Sequence, residues 1–583
     1  MRNLNLKLIC TTDLHMELFG YDYLMDKPNP DRGLLKLAST IMAHRIGKNS
    51  LLFDNGDFLQ GTPLADEIAP SSQHLLAEAF NELGYDAITL GNHDFDYGLD
   101  VLEGFLHQLD APVVGSNISG TPDSVKSHLV MNRTFRCEDG SRAEIRIGVI
   151  GLLPPQTTVW NAHCLKKRVV IEDIVEAAKR AAENAREDGA DIVIALAHAG
   201  LDQSAPHHLM ENALVPLSHL KCLDAIFGGH THEWFETHSN HVSSRLGSVP
   251  VVQSGSNACG FGVIDPTLSE HPTWSVVSFE TQLERPKSDT PNPKLFGYIL
   301  DAHQRVREKL AKPVGASSRP LSNHFSMIGF DDGIKLVHEA LLEHATHITD
   351  ELGLPTTACY TSFSSDGAFG SKKFLNTEGR IIRERDLSSI VPFNNPICVI
   401  GTTTERLRKW ISESSIFLNE IAPRQNSQAL LSGKSPSYFF DQFSSISYQI
   451  DLSQSVNDHR RRIPRLAWNG EELENGQSLA VIASTYRAYG GGGFVYTNPD
   501  QTIWESTQGA RDIVAKYLEN IGTFNPCDAP LWTFAPVPET QLTFELPRSY
   551  RVKPAINGLS QVSDDDTTIR YQLDLRELAP TGQ

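Results

Sequence analysis

The sequence predicts an α/β protein of two or more domains, on three observations. Its 583 residues exceed what one ordinary hydrophobic core holds. Through the first half, short near-continuous apolar runs alternate with longer amphipathic stretches, the pattern of strands in a sheet covered on both faces. A charged, Pro-rich stretch from Glu284 to Pro293 interrupts that pattern near the middle of the chain.

Taken in order, Leu6 to Thr11 reads as a strand and Gly33 to Ala43 as a helix. Leu51-Leu52-Phe53 is a strand ending at Asp54-Asn55-Gly56-Asp57, and Gln73 to Leu83 is helical. Ala87 to Leu90 is a short buried strand that ends at Gly91-Asn92-His93-Asp94-Phe95-Asp96. Ile145 to Gly151 is a strand, and Ile171 to Glu187 a long helix with Ile174, Val175, Ala178 and Ala182 on its apolar face. Ile192 to Ala197 is a strand ending at His198; Asp224 to Phe227 is another, ending at Gly228-Gly229-His230-Thr231-His232. Beyond the Pro-rich stretch, Leu295, Phe296, Ile299, Leu300, Val306 and Leu310 predict a helix stopped by Pro313 and Gly315. Spacing alone favours a helix packed on one domain over a connector between moving halves. The second half has fewer ligand-type clusters, and Leu542 to Glu545 and Ile569 to Leu573 read as strands, so the C-terminal stretch is predicted to fold.

Composition narrows the partners. With 40% hydrophobic and 21% charged residues, the chain has the composition of a soluble globular protein. Fifty-one Lys and Arg against 71 Asp and Glu give a net charge of −20, which argues against a nucleic-acid polymer or an anionic membrane surface. A small phosphorylated substrate stays open, because bound divalent metals reverse the local field. The eight Cys are scattered, with no C-x-x-C pair, and read as ordinary thiols. The first strand starts almost at Met1, and no apolar run reaches the roughly 18 residues of a membrane span. As written, the chain is expected to be cytoplasmic; an upstream start would make it periplasmic.

The strand ends carry the chemistry. They present Asp13 with His15, Asp57, Asn92 with His93, His198, and His230 with His232. Residues just past the carboxyl ends of neighbouring strands converge on one crevice. Carboxylate, imidazole and amide oxygen without thiolate suit Mn, Fe, Zn, Ni or Co at an open catalytic site. Seven ligands are too many for one open tetrahedral centre and suit two metals that share a carboxylate, with Asp57, alone on its turn, as the candidate bridge. Two metals about 3.5–4 Å apart place a water in line with phosphorus and stabilise attacking and leaving oxygens. Taken singly, Asp-x-His is more often a turn pair and His198 a core residue; five such stretches in order are not. His93 is left over once the ligands are counted. Held as a cation by Asp96, it would stabilise phosphoryl charge or protonate the leaving oxygen. Asp96 reads equally as a turn residue before Tyr97-Gly98, and Asp94 has the weaker claim.

The order Asp13-Leu14-His15, Gly56-Asp57, Gly91-Asn92-His93-Asp94, Ala197-His198 and Gly229-His230-Thr231-His232 resembles the calcineurin-like metallophosphoesterases. Gln60-Gly61, Phe95-Asp96-Tyr97-Gly98-Leu99-Asp100, Gly151 to Gln156 and Tyr486-Arg487-Ala488-Tyr489-Gly490-Gly491 narrow it to the 5′-nucleotidase family, nearest its bifunctional 2′,3′-cyclic-nucleotide 2′-phosphodiesterase/3′-nucleotidases. The resemblance implies a four-layer α/β/β/α metal domain over 1–285, a linker and connecting helix over 286–315, and an α/β substrate domain over 316–583. It implies one metal on Asp13, His15, Asp57 and His232, a second on Asp57, Asn92, His198 and His230, and His93 with Asp96 as catalytic dyad. It also implies rotation of the two domains about the linking helix, and a base stacked between Tyr438 and Tyr486, which composition alone marks as ordinary aromatics. The implied activity is hydrolysis of 2′,3′-cyclic nucleotides to 3′-nucleotides and then to nucleoside and phosphate, by direct in-line attack without a covalent phosphoenzyme. A 5′-nucleotidase, nucleotide-sugar hydrolase or sulfur-ester hydrolase keeps the same site, and a non-catalytic nucleotide-binding protein is the alternative from another class. Ser362 to Lys373, where relatives carry arginines near substrate, has none here, so no phosphate-binding residue transfers from the second half.

Overall fold

The computed structural model describes residues 2–68, 74–122, 124–165, 168–202, 204–239, 244–287, 292–361, 380–432, 439–491, 499–547 and 556–576. They form two compact units, Met1–Lys309 and Leu310–Gln583.

The first unit holds two large sheets. In one, Lys7–Thr11, Ser50–Asp54, Ala87–Thr89 and Val113–Val114 run parallel, with Phe261–Glu270 antiparallel beside Lys7–Thr11. In the other, Arg142–Leu152, Ile192–Ala197, Ala225–Gly228 and Val251–Ser254 run parallel between two antiparallel edge strands. The run from 192 to 197 shows why its apolarity is unbroken. Successive side chains point to opposite faces of a strand. Ile192, Ile194 and Leu196 enter the core shared with Leu8, Cys10, Leu51 and Phe53 of the other sheet. Val193, Ala195 and Ala197 enter a second core with Ile174, Ala178 and Ala182 of the Ile174–Glu187 helix. Two sheets face to face with helices outside make the layers α/β/β/α.

Two of the boundaries that differ from the sequence reading have a plain physical cause. The long helix begins at Ile174, because the Asp173 carboxylate caps it by accepting the N–H groups of Val175 and Glu176 at 2.9 and 3.0 Å. Ile171 pairs instead with Ile118 in a two-stranded ribbon. Pro313 and Gly315 do more than stop a helix: they lie in the Pro313–Ser317 strand, between Ile381–Arg383 and Thr523–Phe524. The helix before them, Pro293–Leu310, packs on the first unit. Its His303 stacks on Phe19 with ring centroids 3.9 Å apart, and Arg305 and Arg307 reach Glu67 and Asp26.

The second unit is built on a five-stranded sheet, ordered Asp441–Ser444, Thr356–Thr361, Ser478–Ser484, Pro396–Thr403 and Thr502–Gly509. Alternation again splits the three central strands between two cores; in Pro396–Thr403, Ile397 and Val399 face the Asp332–Leu352 and Ala510–Ile521 helices, and Cys398 and Ile400 face Leu407, Trp410 and Ile411. A buried ion pair ties the Asp441 strand to the residues after Ser484. Arg487 Nε donates to Asp441 Oδ2 at 2.9 Å, with side chains 6% and 1% exposed; Trp410 Nε1 donates to the same carboxylate at 2.7 Å. Removing one partner leaves an uncompensated buried charge, so Arg487→Met is expected to destabilise this unit by about 3–5 kcal/mol. Thermal unfolding of the variant reads this directly, and a midpoint within a degree or two of wild type would count against it. No helix among the described residues is long and apolar enough to cross a membrane.

Candidate metal centre

Each of the seven candidate ligands lies just past a parallel strand of the first unit. Asp13 and His15 follow Lys7–Thr11, Asp57 follows Ser50–Asp54, and Asn92 follows Ala87–Thr89; His198 follows Ile192–Ala197, and His230 and His232 follow Ala225–Gly228. Five of them adopt the left-handed backbone that non-glycine residues seldom use: Asp13 at φ 50°, His15 at 48°, Asp57 at 59°, His230 at 71° and His232 at 57°. Such conformations persist where the surroundings impose them, and they gather at functional sites. Here the imposing contacts are backbone hydrogen bonds between strand-end loops: Asp13 N–H to Gly56 O, His15 N–H to Asp57 O, and Asn257 N–H to Asp13 O, at 2.7–2.9 Å. Gly91 permits the closest approach, since a Cβ there would fall 2.2 Å from Asp57 Oδ1.

The ligands gather as two groups, Asp13 with His15 and His232, and Asp57 with His198 and His230. The ligand atoms within each lie within 4.8 Å of one another. Their protonation is fixed from behind. His15 Nδ1 lies 2.8 Å from Gln60 O and His198 Nδ1 lies 2.8 Å from Asn55 O, so each Nδ1 donates to a carbonyl and each Nε2 is the nitrogen turned to the centre. There His15 Nε2 meets His232 Nε2 at 2.9 Å, and His198 Nε2 meets Asp57 Oδ2 at 3.1 Å. Asp13 Oδ1 sits 3.4, 4.0 and 3.9 Å from the Nε2 atoms of His232, His15 and His198. Asp57 Oδ2, Asn92 Oδ1 and His198 Nε2 are buried and make no hydrogen bond. Converging buried acceptors without donors call for a cation, and these residues fit a pair of divalent metals.

The electrostatics agree. Burial pushes His198 down, but Asp57 and Asp13 pull it up to about 10; burial and His232 push His15 down to about 4. Burial would raise Asp57, but His198 and His93 hold it well below the ordinary carboxylate value. The centre thus keeps its carboxylates ionised and draws positive charge toward them, onto the buried His198.

Beside it, His93 Nδ1 lies 2.8 Å from Asp96 Oδ2, and its ring centroid is 5.5 Å from that of His15. Burial lowers His93, yet Asp96 and Asp57 raise it to about 9, so it carries a proton at neutral pH. Asp96 is itself held: Asn161 Nδ2 donates to its other oxygen at 2.6 Å. Asn161 carries no local signal and escapes a reading by motif. Asp94 is buried and accepts the N–H groups of Asp57, Phe58, Leu59 and Gly91 at 2.8–3.0 Å. It builds the turn that aims Asp57 and acts as a scaffold for the ligand loop.

Of the aromatic pair, Tyr438 lies outside the described residues. Tyr486 is half-buried in the short Thr485–Ala488 helix, directly before the ion-paired Arg487.

Comparison with known proteins adds to this geometry. Residues 6–234 match the calcineurin-like phosphoesterase family, and residues 336–498 match the 5′-nucleotidase C-terminal domain. The trifunctional nucleotide phosphoesterase protein YfkN of Bacillus subtilis is 30% identical over 93% of this chain, which spans only 40% of that protein's length. A crystal structure from the same Bacillus protein, 32% identical, is covered in full by 53% of this chain with a TM-score of 0.50. The 2′,3′-cyclic-nucleotide 2′-phosphodiesterase/3′-nucleotidase of Salmonella typhimurium is 29% identical over 91% of this chain and 89% of its own. A 5′-nucleotidase precursor from Thermus thermophilus shares the fold over 92% of this chain and all of its own, at a TM-score of 0.61 and 18% identity.

Proposed function

Because this chain belongs to the calcineurin-like phosphoesterases that carry a 5′-nucleotidase C-terminal domain, and is a phosphoric ester hydrolase, we propose that it opens 2′,3′-cyclic nucleotides to 3′-nucleotides and then hydrolyses these to nucleoside and phosphate. One observation carries the narrower reading: the likeness to the Salmonella enzyme of that name runs through nine-tenths of both chains and so includes the second unit.

In this reading Asp13, His15, Asp57 and His232 hold one divalent metal, and Asp57, Asn92, His198 and His230 hold the other. When bound, two such cations supply an activated water and positive charge at the phosphoryl oxygens. The chain's own residues do the rest. Gln60 O and Asn55 O hold the Nδ1 protons of His15 and His198, so that Nε2 of each ring is the nitrogen offered to the centre. Asp96 and Asn161 orient His93, whose Nδ1 is committed to Asp96, so any proton exchanged with substrate moves through Nε2. In each step water adds to phosphorus and an ester oxygen leaves, the 2′ oxygen first and the 3′ oxygen second; His93 carries positive charge toward that departure. Tyr438 and Tyr486 are the residues we assign to the base, where stacking contributes about 1–3 kcal/mol per base with little discrimination among bases.

The test is product release by metal-depleted protein resupplied with Mn²⁺, on 2′,3′-cyclic AMP, 3′-AMP and 5′-AMP, with added phosphatase to report ring opening. Turnover of the first two well above the third is expected. A preference for 5′-AMP would reject the narrower reading and leave the esterase standing.

A further inference from the structure

Among the imidazoles at the centre, His230 is held differently. His15 and His198 each direct Nδ1 to a backbone carbonyl, whereas His230 directs Nε2 to a carboxylate, Glu211 Oε1, at 2.8 Å. A carboxylate only accepts, so Nε2 bears the proton and Nδ1 keeps the lone pair, in a ring with a nitrogen within 4.8 Å of ligand atoms of Asp57 and His198. The ring is also fixed from its face, where Trp160 stacks on it with centroids 5.5 Å apart and planes at 19°.

Glu211 is itself placed by the His198 loop. Its neighbour Asn212 accepts the Gly200 N–H at 2.8 Å, and Leu214 N–H returns to Gly200 O at 3.2 Å. Gly200 in turn lies against the residue between His230 and His232: a Cβ on it would fall 2.2 Å from the Thr231 side chain. The loop after His198 therefore carries the carboxylate that orients His230, and the two ligand loops are tied into one ring of contacts. Glu211 keeps 40% of its side chain exposed and His230 13%, so ordinary surface pairing is the competing account. Such pairs contribute little to stability and would not affect a metal.

Resting on the two-metal reading above, we infer that Glu211 is a positioning residue for the metal held by Asp57, Asn92, His198 and His230: it fixes the His230 tautomer and strengthens Nδ1 as a donor. Carboxylates placed behind ligating histidines typically govern metal affinity by about 10–100-fold. The carbonyl behind His15 carries no full charge, so the effect belongs to one of the two metals.

The experiment is equilibrium Mn²⁺ binding to metal-depleted wild type, Glu211→Ala and Glu211→Gln, with the thermal midpoint of each metal-free protein alongside. Two Mn²⁺ equivalents are expected for wild type. In Glu211→Ala one of them weakens about 10–100-fold while the other and the metal-free midpoint stay put. Glu211→Gln retains an acceptor oxygen without the charge, so its loss is smaller; being nearly isosteric, it also carries the test if the alanine variant does not fold. Wild-type affinity for both equivalents in both variants would overturn the inference alone. Fewer than two equivalents in wild type would overturn the two-metal reading beneath it.

Discussion

Asp57→Asn is expected to lower turnover by at least about 10³-fold and to weaken both Mn²⁺ equivalents together, because several kcal/mol of charge stabilisation depend on the shared carboxylate. The geometry explains why so conservative a change is so costly. Asp57 Oδ1 accepts the His93 N–H at 2.7 Å, and Oδ2 faces His198 Nε2 at 3.1 Å without a hydrogen bond. An amide keeps the shape and the first of these contacts. At the second position it puts a neutral amide group where the carboxylate offers an anionic oxygen to a cation. The variant should therefore fold and lose its metals, so the rise in thermal midpoint that Mn²⁺ gives wild type should shrink with it. Binding isotherms decide the sharing. If Asp57→Asn weakens only one equivalent, Asp57 belongs to a single metal. The bridging role would then pass to Asp13, whose Oδ1 lies within 4 Å of imidazoles from both groups.

What could be read in the sequence was whatever is local. A strand end announces itself by the step from apolar to polar, and Asp13, His15, Asp57, Asn92, His198, His230 and His232 all sit at such steps; the carboxylates and imidazoles among them fall into two adjacent groups. The run 192–197 announced burial on both faces, although its two faces meet different layers, a sheet and a helix, which composition does not distinguish. The helix before it starts three residues later than its apolar periodicity predicts, since that periodicity continues through Ile171 while the Asp173 cap decides the start. Residues that act through another residue were the ones missed. Asn161 lies 65 positions from Asp96 and Glu211 lies 19 from His230, so no spacing rule joins them. Asp94 was in plain view within the motif, but its role depends on four backbone N–H groups that only the folded turn assembles.

His93→Ala is expected to lower kcat by about 10²–10⁴-fold on 3′-AMP while leaving Mn²⁺ binding and KM near wild type, since His93 acts on the reacting ester and not on the metals. Two roles fit a protonated imidazole beside the centre, and the leaving group separates them. If His93 protonates the departing oxygen, an ester whose leaving group departs without a proton, such as p-nitrophenyl phosphate, loses far less than 3′-AMP does. If it stabilises charge on the phosphoryl oxygens, both esters lose equally, because both develop that charge. Asp96→Asn should follow the same substrate pattern at smaller amplitude: the amide still meets Nδ1 but no longer helps hold a proton on the ring, where Asp96 is the foremost influence raising it. Retention of kcat within about tenfold in His93→Ala on 3′-AMP would make His93 a structural neighbour of His15 and move the proton question to water.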